Sequence, residues 1–198
     1  AKVVFTISDE ITLIFINNGK SQHPFGGKLF KIHSLMAATA SNYFTSQINN
    51  FIPEKTGSLP IFDCRAFSVP NITEAFHCVL WRCRDGFRNA VFSIAKCSFS
   101  ERELFKKTTH EKLDMLKSKN INIDEYENMY KYGTCLIKKK SKVTFTEEEL
   151  LTLPEKHNAR LLGKGDYWRN IIFKVEIDEL KDYLMLTYQD TTNLTHNK

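Results

Sequence analysis

The chain has 198 residues, of which 42% are hydrophobic and 26% charged, and its net charge is +5. This length suffices for one domain with its own core, and no apolar run reaches membrane-spanning length, so we expect no membrane contact. The five cysteines form no C-x-x-C pair, which argues against a disulfide framework or a zinc ribbon and favours an intracellular, reducing compartment. The mild positive charge is compatible with a nucleic-acid partner.

The first predicted element is a β-hairpin. Residues 2–7 and 10–17 are rich in β-branched and aromatic residues, which predicts two strands, or one bent strand, around Ser8-Asp9-Glu10. Carboxylates in such a run are costly to bury without a compensating cation, and a divalent metal is a common one. A plain polar turn is the alternative. Because Ala1 already lies inside the strand pattern, we expect the N-terminal portion of the domain to be missing.

A loop and a helix follow. Residues 17–21 and 24–27 carry Asn, Gly, Pro and Ser, which predicts a loop. Apolar residues at helical spacing predict a helix over 28–47. Lys28 and Lys31 lie near its start, where two cations suit a polyphosphate. An ordinary solvated helix face is the alternative reading.

A strand and the longest helix come next. After a loop over 49–60, alternation predicts a strand over 61–69, with Asp63 and Arg65 paired on one face. A helix is predicted over 72–97. Its apolar stripe consists of Phe76, Leu80, Cys83, Phe87, Ala90 and Ile94. Its opposite stripe consists of Arg82, Asp85, Asn89 and Ser93, of which Arg82 and Asp85 could be a simple surface pair.

Short helices and strands complete the chain. Three short helices are predicted from capping boxes, in which Ser or Thr precedes Glu by three residues. These boxes are Ser100 with Glu103, Thr108 with Glu111, and Thr146 with Glu149. The remaining predictions are a loop over 120–132, a strand over 134–137, a basic run over 138–142 and a last strand over 171–177.

Several blocks, in this order, resemble the tRNA-histidine guanylyltransferases and their Thg1-like relatives, which add nucleotides in the 3′-to-5′ direction. The blocks are F-T-I-S-D-E-I-T-L-I-F, P-F-G-G-K-L-F-K-I-H-S-L-M-A, F-D-C-R-A-F-S-V-P, W-R-C-R-D-G-F-R-N-A-V-F-S and Y-G-T-C-L-I-K. Phe87 stands where the guanylyltransferases have a histidine, and Ser93 where they have an asparagine. These departures resemble the Thg1-like branch, which repairs 5′-truncated tRNAs.

The resemblance implies an α+β fold, a polymerase-like palm with an antiparallel sheet and helices packed on one face. Residues 1–140 would form the catalytic nucleotidyltransferase domain, and residues 141–198 its C-terminal extension. The expected activity is template-dependent nucleotide addition to the 5′ end of tRNA after activation by ATP or GTP. Two Mg²⁺ ions, tRNA, a homotetramer, and a cytoplasmic or mitochondrial location are also implied.

The resemblance also implies site residues. Asp9 and Glu10 would be catalytic, with Asp9 binding metal, while the family's first metal aspartate would lie upstream of residue 1. The expected triphosphate-binding residues are Ser8, Lys28, Lys31, Asn89 and Ser93. The expected tRNA-binding residues are Arg82, Arg88, Lys107 and Lys131. Two alternatives remain: an inactive relative that binds structured RNA, and a palm that makes cyclic nucleotides.

Overall fold

The computed structural model describes residues 1–16, 23–152, 166–175 and 180. The strands are β1 (Val3–Ile7), β2 (Glu10–Ile14), β3 (Thr134–Thr144) and β4 (Asp166–Val175). The α-helices are α1 (Leu29–Phe51), α2 (Ile72–Lys96), α3 (Glu101–Leu104), α4 (Thr109–Ser118), α5 (Asn128–Tyr132) and α6 (Glu147–Thr152). Short 3-10 turns cover Pro24–Gly27, Pro53–Lys55 and Ile123–Glu125. The predicted loop over 17–21 and the end of the predicted strand over 171–177 lie outside the described residues.

The chain divides into two compact units. The first contains residues 1–15 and 72–198, and the second contains residues 16–71. The first unit holds the sheet and α2 to α6, and the second holds α1. The assignment of residues 1–140 to one palm domain and of 141–198 to its extension stays a prediction.

The sheet of the first unit is antiparallel throughout. Its strand order is β2-β1-β3-β4. Val3, Phe5 and Ile7 point to one face of β1 and are buried, because side chains alternate along a strand. Helix α2 packs on this face so closely that a Cβ added to Gly86 would lie 1.9 Å from Ile7 Cδ1. This arrangement confirms the predicted α+β class with an antiparallel sheet.

Strand β3 is longer than predicted. The expected strand over 134–137 continues to Thr144 and takes in the basic run over 138–142. Strand β4 pairs with β3 along this whole length, from Cys135↔Val175 to Thr144↔Asp166. Each added pair satisfies backbone groups that a surface loop would leave to water. Pairing with β4 therefore holds the basic run over 138–142 in a strand, although lysine has weak strand propensity.

The predicted strand over 61–69 is wrong, since none of these nine described residues joins a sheet. Side chains of α1 accept their backbone N–H groups instead. Phe62 N donates to Ser41 Oγ at 2.9 Å, and Ala66 N donates to His33 Nε2 at 3.1 Å. The predicted ion pair is present, with 3.0 Å between Arg65 Nε and Asp63 Oδ2, but both side chains are exposed and the pair contributes little stability.

The long helix α2 confirms its predicted position, but its buried stripe differs from the predicted one. Its buried residues are Ile72, Ala75, Val79, Cys83, Val91 and Ala95, and only Cys83 belongs to the predicted stripe. Several of these buried side chains are small, which lets the helix approach its neighbours closely. The bulkier Phe76, Leu80 and Phe87 lie beside the buried stripe and are half-buried. Among the described residues, none of the helices has the length and apolar character needed to cross a bilayer.

The capping boxes predicted for α3 and α4 are confirmed. In the box of α4, Glu111 N donates to Thr108 Oγ1, and Thr108 N donates to Glu111 Oε2 at 2.8 Å. In the box of α3, Ser100 and Glu103 make the same reciprocal bonds. Thr146 and Glu149 also exchange backbone hydrogen bonds at the start of α6. These bonds satisfy orphan N–H groups at the helix starts.

We expect the capping box of α4 to make stability depend on acid pH. The backbone N–H of Thr108, Lys107 and the Thr108 hydroxyl all stabilise the Glu111 carboxylate and lower its pKa from 4.5 to about 2. Because the folded pKa is depressed, the stabilisation is fully present above about pH 4.5 and is lost as the pH falls toward 2. Glu111→Gln should therefore flatten the pH dependence of urea unfolding in this window. The exposed Glu148→Gln is the control, and parallel curves for both variants would contradict the prediction.

Candidate active site

The predicted metal residue lies at the tip of a two-residue turn. Ser8 and Asp9 connect β1 to β2, since Ile7 pairs directly with Glu10. Ser8 has a φ of 53°, and a positive φ at the first turn position suits the right-handed twist of a hairpin. Asp9 is exposed, and among the described residues its carboxylate has no hydrogen-bond or ion-pair partner. The Asp9 carboxylate is thus available to a ligand or cation.

Glu10 faces the helices. Residues paired across a hairpin share a face, so Glu10 lies on the same side of the sheet as Ile7. Its carboxylate forms an ion pair with Arg82 Nη2 of α2. The two adjacent acids therefore differ: Asp9 has no partner among the described residues, whereas Glu10 connects the hairpin to the long helix.

Arg82 links Glu10 to a second acid. Its Nη1 lies 3.4 Å from Asp85 Oδ2, and its guanidinium lies 4.9 Å from the Trp81 ring centroid. Asp85 also pairs with Arg88 Nη2. Arg82 Nε is buried and has no hydrogen-bond partner among the described residues. Arg82 is thus mostly committed within the protein, which does not favour its predicted role as a tRNA contact.

The other predicted nucleotide residues of α2 are on the surface. Asn89 and Ser93 are both exposed. Cys97 Sγ donates a hydrogen bond to the backbone carbonyl oxygen of Ser93. This contact does not involve the Ser93 hydroxyl. Their roles in nucleotide binding stay predictions.

Lys28 and Lys31 belong to the second unit, at the start of α1. Three consecutive residues before them, Phe25, Gly26 and Gly27, have φ values of 54°, 65° and 76°. No side chain caps α1, and its first turn has no acidic residue. Lys31 Nζ lies 5.6 Å from the Phe25 ring centroid. This helix start combines uncapped N–H groups with two lysines, a combination that attracts anions.

Two lysines predicted to bind tRNA already have hydrogen-bond or ion-pair partners within the protein. Lys131 is 4% exposed, and its Nζ donates to the Asp124 carbonyl oxygen. Lys107 Nζ pairs with Glu111 Oε1 at 3.0 Å. A buried ammonium group does not reach a phosphate on the protein surface, so this fold gives the predicted Lys131 contact no support.

Mg²⁺ prefers oxygen ligands and is commonly held by one or two carboxylates together with substrate phosphates. The free carboxylate of Asp9 fits one such ligand. Within the described residues, no group of three or more His, Cys, Asp or Glu side chains could hold a metal ion. The hairpin can thus supply one carboxylate ligand of a magnesium site, but not a complete set of ligands.

Sequence reasoning missed two features of this region. The pairing of Arg82 with Glu10 joins residues 72 positions apart, and nothing in the local pattern of either segment indicates it. The stacking of Phe87 on Tyr132, with 5.3 Å between ring centroids, was also missed.

Comparisons with known proteins find similarity to one family in the N-terminal part of the chain. The family model described as tRNAHis guanylyltransferase, Thg1, matches residues 1–70, which include the hairpin. No curated protein matches the chain.

Two solved structures resemble the chain. A bacterial tRNA(His) guanylyltransferase (Thg1)-like protein in complex with ATP is 30% identical, with a TM-score of 0.62, over 70% of this chain and 59% of its own length. A bacterial Thg1-like protein in complex with GTP is 24% identical, with a TM-score of 0.51, over 86% of this chain and 60% of its own length. The chain thus spans about three fifths of these relatives. The sheet and its helices have the palm fold of such proteins, and the family match over residues 1–70 together with the structural likeness supports the assignment of this chain to the Thg1-like family.

Proposed function

We propose that the protein is a nucleotidyltransferase that uses ATP and GTP as substrates and acts on tRNA inside the cell. The observation that carries the proposal is the family match over residues 1–70, which contain both the Ser8-Asp9-Glu10 hairpin and the Lys28 helix start. The resemblance to Thg1-like proteins solved with ATP and with GTP supports nucleotide substrates. The finer proposal is template-dependent 3′-to-5′ addition at the tRNA 5′ end, for repair or guanylylation.

In this proposal the hairpin presents one carboxylate to the reaction. Asp9 would bind Mg²⁺ at the turn, and Ser8 would lie beside the triphosphate. The ions would neutralise the triphosphate and activate the attacking hydroxyl, as in other two-metal phosphoryl transfers. Glu10 holds the turn in place through Arg82, because an ion pair from β2 to α2 limits the movement of the tip. Catalysis would then rest mainly on positioning and electrostatics.

Lys28 and Lys31 would bind phosphate oxygens of the nucleotide. Their helix start offers N–H groups that no side chain caps, and both lysines are exposed. Asn89 and Ser93, on the exposed side of α2, would contact the nucleotide through neutral hydrogen bonds. Such groups orient a ligand without adding charge.

A second candidate is an inactive relative that binds structured RNA. Among the described residues, no group of three or more His, Cys, Asp or Glu side chains could hold a metal ion, and this favours the second candidate, because two ions need more ligands than one aspartate supplies. The two candidates differ in nucleotide incorporation, which only the enzyme performs.

We also propose a homotetramer. The second unit exposes large apolar side chains along and after α1, which a lone chain would leave in water. The most exposed of these are Phe30, Tyr43, Phe51, Leu59, Ile61 and Phe67. Light scattering should give four times the chain mass, and Phe30→Ser should lower it. A monomeric parent protein would contradict the proposal.

The test of function is incorporation of labelled nucleotide into a tRNA transcript that lacks its 5′-terminal nucleotide. The full-length protein with ATP, GTP and Mg²⁺ should lengthen the 5′ end by one templated nucleotide. A 5′-complete transcript is the control, since it offers no unpaired template position. An inert full-length protein that still binds the transcript would support the inactive relative instead.

A further inference from the structure

The seam between α2 and α4 has a row of cations on its surface. Arg84, Arg88, Phe92 and Lys96 follow one another at four-residue spacing and are all exposed, so they form one stripe along three turns of α2. Lys112 of α4 reaches the same stripe, with its Nζ 4.9 Å from the Phe92 ring centroid. Lys96 Nζ lies 5.4 Å from that ring. We call Arg84, Arg88, Lys96 and Lys112 the cation row.

The acids near the cation row neutralise only part of it. Arg88 pairs with Asp85, and Lys96 pairs with Glu101 at 2.9 Å, but exposed pairs of this kind are weak. Arg84 and Lys112 have no carboxylate partner within the described part of the chain. Like charges four residues apart on a helix repel each other. A row with this arrangement is therefore suited to an anion that bridges several of its members.

A groove opens beside the N-terminal end of the row. It has a volume of about 500 Å³, and Arg84 and Arg88 are among its lining residues. Phe87 and Tyr132 form part of its lining and stack with an interplanar angle of 3°. Leu80 and Cys83 complete its apolar surface. This aromatic groove has the volume of a small-ligand site and a lining on which a planar base can stack.

We propose that the cation row and the aromatic groove form one binding surface for single-stranded RNA, in which the row binds phosphates and the groove takes an unpaired base. Unpaired RNA is the partner whose chemistry matches both parts, because its phosphates are regularly spaced anions and its bases have flat apolar faces. An acidic peptide would match the row but leave the groove without a planar group. The inference rests on the proposed tRNA partner and locates its contact on α2, α4 and α5.

The row is tested by salt dependence. The probe is an RNA hairpin with a single-stranded 3′ overhang, and anisotropy measures its binding without nucleotide substrates. Arg84→Gln with Lys112→Gln should lower the slope of log K against log salt by about 1.4, since each contact to a single strand contributes about 0.7. Arg102→Gln with Lys117→Gln removes two exposed cations elsewhere and should leave the slope unchanged. An equal slope for both double variants would overturn the inference.

The groove is tested by aromatic substitution. Tyr132→Leu should weaken binding of the overhang probe by at least about fivefold, the smallest effect usual for a lost base stack. Binding of a blunt hairpin with the same stem should not change. Tyr130→Leu, an exposed aromatic change outside the groove lining, is the matched control. Equal losses for both tyrosines, or for both probes, would overturn the role of the groove.

Two further results separate the inference from the proposed activity. If the parent protein binds the overhang probe through the row but adds no nucleotide, the activity proposal fails and the inference stands. If it adds nucleotide while the row and groove variants bind as the parent does, the inference fails and the activity stands. Equal affinity for RNA and for an acidic peptide of the same charge would overturn the assignment to RNA.

Discussion

Asp9→Asn should reduce nucleotide incorporation by at least about 100-fold. The substitution keeps the size of the side chain but removes the charge that would bind Mg²⁺ at the tip of the hairpin, and lost metal assistance costs several kcal/mol in the transition state. The turn itself should remain, because the Asp9 side chain makes no hydrogen bond or ion pair with another described residue. Labelled-nucleotide incorporation into a 5′-truncated transcript measures the loss.

Controls for this prediction separate lost chemistry from lost structure. Asp114→Asn removes an exposed aspartate of α4 whose nearest partner is His110 at 3.6 Å, and it should keep full activity. Thermal unfolding of Asp9→Asn should match that of the parent protein. Wild-type incorporation by Asp9→Asn would contradict the metal-binding role of this residue.

Gly133→Ala should destabilise the first unit by about 3 kcal/mol. Gly133 ends α5 with φ 81° and ψ −170°, a conformation that is essentially restricted to glycine. A Cβ at this position would lie 2.6 Å from the Thr6 carbonyl oxygen and 2.8 Å from Phe5 Cζ. Since Thr6 belongs to β1, the clash can be relieved only by moving the backbone of the strand. Urea unfolding followed by tryptophan fluorescence measures the effect.

Gly86→Ala is the matched comparison within the same unit. Its Cβ would meet only side-chain atoms of Ile7, at 1.9 Å from Cδ1 and 2.9 Å from Cγ1, and a second substitution can shorten this side chain. Alanine is favoured over glycine inside a helix by about 1 kcal/mol and Ile7→Val removes Cδ1, so Gly86→Ala with Ile7→Val should lose less stability than Gly133→Ala. If Gly133→Ala is no worse than this double variant, the backbone clash at Gly133 is not the cause of the expected loss.

Local sequence signals predicted the elements that local bonds specify. The capping boxes at Ser100 and Thr108 form as expected, because all the atoms involved lie within four consecutive residues. The hairpin around Ser8 and Asp9 is also local, since a two-residue turn brings its strands together.

Contacts between distant segments decided the features that were missed. Alternation over 61–69 predicts a strand, but Ser41 and His33 accept the N–H groups that a neighbouring strand would otherwise have taken. The lysines of 138–142 predict a surface run, but pairing with β4 extends β3 through them. A hydrogen-bond partner far along the chain determines each outcome.

The sequence by itself determined the hairpin, the position of α2 and the capped helix starts, because periodicity and capping are properties of the chain alone. The order of its motifs determined the resemblance to the Thg1-like family, which implies the α+β class. Only the tertiary structure decided that Glu10 pairs with Arg82 while Asp9 pairs with no other residue in the described part of the chain, and that Lys131 is buried. Whether a carboxylate or an ammonium group can meet a ligand depends on which other groups surround it. That environment is created when β1, α2 and α5 pack together.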